Sequence, residues 1–428
     1  MNKFTNVQDF IYWVERQRRF SKKVSLDKMK YYCQLFDNPQ DKFKSIHVTG
    51  TNGKGSTVAF INSIMQSAGL NVATYTSPYI TYFNERIEYN GKFISDEDLL
   101  KYANRITEKY EIITNSGYEL PSFFEFITLL AFIYFSEIKE LDYAIIEVGM
   151  GGRLDATNVI NSEVAVISNV AYDHMNVLGN TLEQIAYEKL GIVKNNEPLV
   201  TGISDKKLQT FVKSYCEANH ISVTFALNRA FEIIKSTIYG TELILEGFDE
   251  PLTIGLAGNH QIDNALTAVS TIEEFCKIHP ELYSRLFASI PYGLKNAKWP
   301  GRLEIISTMP LILVDGAHNI DGITRVCDFI KNQRYASKRA IVSISKDKEK
   351  ESMVKILDQT FDEIIFTKYS YERSATAEEL FALSNCYNKK VLNSLDEILN
   401  YIKKVPADLT VFLGSLYLVC DIRNKMNK

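Results

Sequence analysis

Ile46-His47-Val48-Thr49-Gly50-Thr51-Asn52-Gly53-Lys54-Gly55-Ser56-Thr57 carries an apolar strand into a glycine-rich turn with one lysine and then opens a helix. In such a turn the glycines let backbone N–H groups face phosphates, the helix N-terminus adds partial positive charge, and a lysine brings its ammonium to the terminal phosphates. The stretch predicts a nucleotide phosphate cradle with ATP as ligand, contacted by Thr51, Asn52, Gly53, Lys54, Gly55, Ser56 and Thr57. Its spacing departs from the general phosphate loop: two residues separate Gly50 from Gly53, and Gly55 stands between Lys54 and the Ser56 hydroxyl. A plain glycine turn with a solvated lysine is the alternative reading.

Around the cradle the pattern alternates strand and helix. Strands fall at 43–48, 71–76, 142–148 and 163–170, with helices after Gly55 and over 122–138 and 182–193. Such alternation predicts a parallel sheet covered by helices. Thr181 with Gln184, and Ser95 with Asp98, sit as helix caps, the second pair for a helix over 96–114. Short β-like runs fill 223–254, a helix follows over 260–278, and Pro291, Gly293, Pro300 and Gly301 break the pattern around 292–302. A second series from Leu303 includes strands at 311–314, 340–344, 363–366 and 409–413. The expected fold class is α/β: an N-terminal, P-loop-type mononucleotide-binding domain with a central, mostly parallel sheet over 1–297, and a smaller C-terminal Rossmann-like α/β domain over 298–428.

A chain of 428 residues, 46% of them hydrophobic, can fill two such cores. A net charge of -4 offers no broad attraction for nucleic acid or acidic membranes, so neither is an expected partner. Cys33, Cys216, Cys276, Cys327, Cys386 and Cys420 are scattered without a C-x-x-C pair and read as reduced and structural. The stretch opening Met1-Asn2-Lys3-Phe4 lacks the apolar core of a signal peptide, which makes a cytoplasmic location the expectation. The most apolar segment, 123–135, is interrupted by Glu125 and is shorter than the ~20 residues of a membrane span, so it reads as a buried helix. A monomer is the default.

In open α/β sheets ligands gather at the carboxyl ends of strands. The phosphate loop follows Val48, Ser77 follows 71–76, Glu147 lies near the end of 142–148, and His174 follows 163–170, so four strands supply one rim. Singly these residues have ordinary readings: Ser77 a turn residue, His174 a loop histidine, Lys189 a solvated helix lysine. Glu147 differs, because a carboxylate amid Ile145-Ile146-Glu147-Val148 is costly to bury unless paired or metal-bound. Together the rim offers oxygen ligands and an imidazole for Mg²⁺, which completes its octahedral shell with waters and nucleotide phosphates.

Gly50-Thr51-Asn52-Gly53-Lys54-Gly55-Ser56 resembles the loop of the Mur ligase superfamily, and in this glycine-bearing form that of the folylpolyglutamate synthase and dihydrofolate synthase family. The resemblance extends through Thr76-Ser77-Pro78 with Phe83-Asn84-Glu85-Arg86-Ile87, Phe123-Phe124-Glu125, Val148-Gly149-Met150-Gly151-Gly152-Arg153-Leu154-Asp155-Ala156-Thr157-Asn158, the run from Asn169 to Lys189, Asn259-His260-Gln261-Ile262-Asp263-Asn264, Trp299-Pro300-Gly301-Arg302 and Asp315-Gly316-Ala317-His318-Asn319. It implies ATP contacts from Asn264 and, across a domain cleft, from Arg302, Asp315 and His318. It also implies two Mg²⁺ ions held on the side of Ser77, Glu147, His174 and a carbamylated Lys189, with Lys54, His174 and Lys189 as the catalytic set. Acceptor contacts would come from Phe124, Glu125, Leu154, Asp155 and Ala156, although Asp155 after its glycines also reads as a turn cap.

The resemblance therefore implies an ATP-dependent carboxylate–amine ligase that adds L-glutamate to folates and to dihydropteroate through an acyl phosphate, its first domain binding ATP and its second being the glutamate ligase domain. Restriction to folylpolyglutamate synthesis is one alternative and another Mur-type amino-acid ligase a second. A peptidoglycan ligase would carry a further N-terminal domain, for which the residues before Gly50 are too few. An ATP-switched binding protein would use the cradle but has no need of Glu147, His174 and Lys189.

Overall fold

Eight strands build the first sheet: β1 (Ser45–Thr49), β2 (Val72–Tyr75), β3 (Ile87–Tyr89), β4 (Lys92–Phe93), β5 (Tyr143–Glu147), β6 (Val164–Ile167), β7 (Leu199–Thr201) and β8 (Val223–Phe225), in the order β4-β3-β2-β5-β1-β6-β7-β8. The structure, a computed structural model, describes residues 3–18 and 25–426; Met1 and Asn2 of the N-terminal stretch lie outside them. Across β2, β5, β1, β6, β7 and β8 every pairing is parallel, and β3 and β4 run antiparallel at one edge. Every residue of β1 and β5 is buried, as parallel strands covered on both faces require. Strands β2, β5, β1 and β6 are contiguous, so the four strand ends read as one rim do form one.

The apolar Phe123–Glu137 helix lies in the core: Phe126, Leu129, Leu130 and Phe132 are fully buried and pack with Phe10, Tyr32, Tyr75 and Ile146. No helix among the described residues is long and apolar enough to cross a membrane. Thr181 and Gln184 form the expected capping box of the Leu182–Leu190 helix. The helix expected over 96–114 is instead two, Asp96–Thr107 and Tyr110–Asn115. Thr107 Oγ1 donates back to Asn104 O (3.0 Å), a local bond that competes with continuation of the helix. The expected break at 292 comes later, because the Tyr283–Asn296 helix runs through Pro291 and Gly293. Gly293 is there for packing: a Cβ on it would lie 2.6 Å from Ile64 Cα of the Lys54–Ser67 helix.

Strands β9 (Phe231–Thr237), β10 (Gly240–Leu245) and β11 (Leu252–Ile254) form a small antiparallel sheet. The last sheet contains β12 (Glu304–Thr308), β13 (Leu311–Val314), β14 (Lys338–Val342), β15 (Glu363–Phe366), β16 (Lys389–Val391) and β17 (Leu409–Leu413), in the order β12-β13-β17-β14-β15-β16. It is parallel apart from β12. Packing resolves two compact units, 1–230 with 263–294 and 231–262 with 295–428. The β-rich segment that the chain order assigned to the first domain packs in the second unit, because Ile238 and Ala257 join the core of Leu303, Leu313 and Val326. The mixed α/β class with a mostly parallel first sheet is the one expected.

Candidate active site

The cradle is built on β1, whose last residue, Thr49, leads into Gly50. A side chain at Gly50 would collide with Ser168, whose Oγ would lie 1.9 Å from a Cβ there. Gly53 holds a left-handed φ of 81°, and a Cβ on it would lie 2.2 Å from Asn264 Oδ1. Both positions thus need glycine, and Asn264 is brought against the loop. Asn169 frames the turn: its main-chain O accepts from Thr51 N (3.1 Å) and its Oδ1 from Asn52 N (2.7 Å), while Ser168 Oγ donates to Asn52 O (2.6 Å). Thr51 Oγ1 closes the frame by donating to Ala171 O and accepting from Ala171 N. The main-chain donors of Thr51 and Asn52 are therefore committed to the protein.

The donors left for an anion belong to the next turn. No side chain caps the Lys54–Ser67 helix at Gly53, so its first N–H groups are those that a helix presents to phosphate. Ser56 Oγ and Thr57 Oγ1, in that same turn, are buried without a hydrogen-bond partner. A buried hydroxyl seldom lacks a partner, and a nucleotide with its Mg²⁺ is the group these would serve. Lys54 Nζ folds over the loop, donating to Gly50 O (3.1 Å) and Thr51 O (3.3 Å).

Among the residues expected to hold metal, Glu147 is 3% exposed and its Oε2 accepts from Ser77 N (2.9 Å), which joins the ends of β5 and β2. His174 stands exposed at the start of a short helix with a φ of 50°, its N–H bonded to Asp173 Oδ1 (2.9 Å). Lys189, 1% exposed, is pulled down to about 7 by burial and by the neighbouring Lys54, against the opposing pull of Asp173. It is thus a buried lysine near the cradle and not a solvated one, and a large share of it is neutral amine at pH 7. No group of three or more His, Cys, Asp and Glu side chains gathers as a metal site among the described residues. Of the expected metal-side residues the structure brings Ser77 and Glu147 together, oxygen-bearing side chains of the kind Mg²⁺ takes singly or in pairs while waters and phosphates fill the rest of its shell.

Among the residues expected to contact the acceptor, the Phe124 ring covers Gly149, where a Cβ would lie 2.5 Å from its Cζ. Glu125 is occupied structurally: its Oε2 accepts from Ser122 N and Oγ, completing a capping box, and its Oε1 lies 3.3 Å from Lys28 Nζ. Asp155 is the cap that its position also suggested. Its Oδ1 accepts from Thr157 N (3.0 Å) and Oγ1 (2.7 Å), and its Oδ2 from Met150 N (3.1 Å). Burial raises its pKa and these bonds oppose the rise. Leu154 and Ala156 flank it on the same loop.

The second unit carries its own cluster. Asp315, 2% exposed, accepts from Leu303 N (2.8 Å) and Ala317 N (2.7 Å); burial raises its pKa, and Arg302 lowers it most among the opposing influences. Gly316 leaves room for the guanidinium, since a Cβ there would lie 2.4 Å from Arg302 Nη1. His318 Nδ1 donates to Gly316 O (2.8 Å), which fixes its tautomer. Sequence reasoning gave no role to Ser168 or Asn169, although polar residues just past β6 on the ligand side of the sheet were the available signal.

Two family models match: the Mur ligase middle domain over residues 48–272 and the Mur ligase glutamate ligase domain over 301–416. The dihydrofolate synthase/folylpolyglutamate synthase of Bacillus subtilis (strain 168) is 36% identical over 434 aligned positions, covering 99% of this chain and 100% of that protein. The folylpolyglutamate synthase of Lacticaseibacillus casei is 33% identical, with 91% of each chain covered. Among solved structures, the folylpolyglutamate synthase of Thermotoga maritima superposes with a TM-score of 0.83 at 29% identity, covering 99% of this chain and 97% of that one. The Mycobacterium tuberculosis enzyme complexed with ADP and AMPPCP gives 0.85 at 25% identity, covering 99% and 98%.

Proposed function

The chain belongs to the Mur ligase family, in its dihydrofolate and folylpolyglutamate synthase branch, and from that premise we propose that it is an ATP-dependent ligase joining the amine of L-glutamate to the carboxylate of a folate, and to that of dihydropteroate. The observation that carries the reading is the uncapped helix after Gly53 with two buried, partnerless hydroxyls, which asks for a nucleotide. Dihydropteroate is included because the relative that matches this chain end to end is named for both synthase activities.

The chemistry divides among this chain's residues. Lys54 and the first turn of its helix hold the terminal phosphates and offset the charge of the transferring phosphoryl group. The acceptor carboxylate attacks that phosphoryl group, ADP leaves, and the glutamate amine then displaces phosphate from the acyl phosphate. Glu147, Ser77, His174 and a carbamylated Lys189 would hold two Mg²⁺ ions, whose contribution is further neutralisation of phosphate charge. The low pKa of Lys189 supports the carbamate, since only a neutral amine captures CO₂. Phe124, Glu125, Leu154, Asp155 and Ala156 are the proposed acceptor contacts. Asn264 and the cluster of Arg302, Asp315 and His318 are the proposed further nucleotide contacts. The proposed division of the chain is a nucleotide domain within 1–297 and a glutamate ligase domain within 298–428, supported by family models over 48–272 and 301–416, with 231–262 packing in the second unit. A cytoplasmic monomer completes the reading; for the compartment it is supported by six cysteines that all stand as free thiols.

Purified protein given ATP, glutamate and either dihydropteroate or a tetrahydrofolate tests this by product mass spectrometry. Glutamylated products and stoichiometric ADP are expected with both acceptors. Extension of tetrahydrofolate alone would remove the dihydrofolate synthase activity, and turnover with neither would remove the ligase assignment.

A further inference from the structure

The strand leading to the phosphate loop is apolar on one face only. Ile46 and Val48 enter the core, while His47 and Thr49, both fully buried, point to the opposite face at a spacing of two. Each grips the segment on the acceptor side. Thr49 Oγ1 donates to Gly151 O (2.5 Å), and His47 Nε2 lies 2.9 Å from Thr157 Oγ1. Thr157 Oγ1 has one proton and donates it to Asp155 Oδ1, so it accepts from His47. Nε2 therefore carries the imidazole proton, and Nδ1 is left as a bare lone pair, consistent with its being buried without a partner. Asp155 in turn gathers Met150 N, in the loop whose Gly149 lies under Phe124 and whose Gly152 abuts the backbone of Glu188 and Lys189.

We propose that His47 and Thr157 are positioning residues for the acceptor: a buried His47–Thr157–Asp155 relay, with Thr49 beside it, sets the acceptor loop in register with the phosphate loop on the same strand. The inference rests on the ligase reading above. A carboxylate must meet a terminal phosphate in line, and a shift of about 1 Å in one partner is enough to lower the rate a hundredfold. Anchoring both loops to one face of β1 removes that freedom. Burial also pushes the His47 imidazole pKa well below the usual histidine value, which favours the neutral ring that the relay requires.

Histidine-labelled protein and steady-state kinetics test this separately. In ¹⁵N NMR of the unmodified protein near pH 7, His47 is expected as a neutral Nε2–H tautomer; an Nδ1–H tautomer overturns the relay whatever the activity. Thr157→Val keeps the shape and removes the hydroxyl, and is expected to lower kcat and to raise the KM for the acceptor about tenfold while that for ATP stays within about twofold. Thr157→Ser is expected to restore the acceptor KM. Equal change in both KM values, or no rescue by serine, reduces the relay to a packing element and overturns the proposal. Should Thr157→Val fail to fold, the tautomer and the serine variant still decide. Inactive wild-type protein with both acceptors would count against the ligase reading and leave the tautomer measurement standing.

Discussion

Lys54 and Lys189 are the same residue type near enough in space to repel, and their surroundings suit them to the opposite tasks proposed for them. Lys54 lies over an open loop, with its ammonium on two carbonyls that a phosphate would replace. Lys54→Ala is expected to abolish ADP formation with an unchanged circular dichroism spectrum, since its side chain does little packing. Lys189 sits where an ammonium is costly, so carbamate formation should fall as pH drops through about 7, and bicarbonate should restore activity lost in CO₂-depleted buffer above that value. The stability sign comes from the same shift. The folded pKa lies below the ordinary value of 10.5, so the charge penalty is full below about 7 and is relieved as pH rises toward 10.5. In CO₂-depleted buffer the Tm difference between Lys189→Met and wild type should shrink across that window; a constant difference would mean that Lys189 titrates normally. Short carboxylic acids are expected to rescue Lys189→Ala in part, because the group proposed there is an anionic carbamate ligand.

At the scale of elements, helix caps and strand runs were legible because their determinants are local. The Thr181–Gln184 capping box and the bounds of β13, β15 and β17 follow from side-chain type and apolar runs. The Tyr283–Asn296 helix escaped, since Pro291 and Gly293 punctuate a chain read locally, whereas Gly293 serves a contact with Ile64, far away in the chain. Gly53 combines both kinds of demand. Gly53→Ala forces a left-handed φ on alanine and drives a methyl into Asn264, so the KM for ATP should rise about tenfold with melting temperature lowered by only a few degrees. Wild-type ATP affinity in that variant would show that Asn264 is placed independently of the loop.

For the whole molecule, each unit has its own core and the second also has a buried charge network. Arg339, 2% exposed, meets Glu363 at 2.5 Å, and Lys390 and Tyr401 bond the other carboxylate oxygen. Burial pushes the Glu363 carboxyl up, but these donors together hold it below the usual carboxylate range. Its contribution is therefore present above the ordinary carboxylate pKa and lost as pH falls through the lowered one. Glu363→Gln leaves Arg339 without its counter-charge and should cost about 3 kcal/mol in unfolding experiments at neutral pH, with the difference from wild type narrowing in acid. A loss under about 1 kcal/mol would mean that water screens the pair. By itself the sequence determined the fold class, the strand–glycine turn–helix run at 46–57 and the family, and it proposed Ser77, Glu147 and His174 at strand ends, because each is written in contiguous residues: an apolar run, a glycine spacing, a motif. Only the tertiary structure decided that 231–262 packs in the second unit, that Asn169 frames the cradle, that Asp155 and Glu125 serve as caps, and that Lys189 is buried beside Lys54. His47 and Thr157 stand 110 residues apart, and a bond between them leaves no trace in the periodicity of either segment.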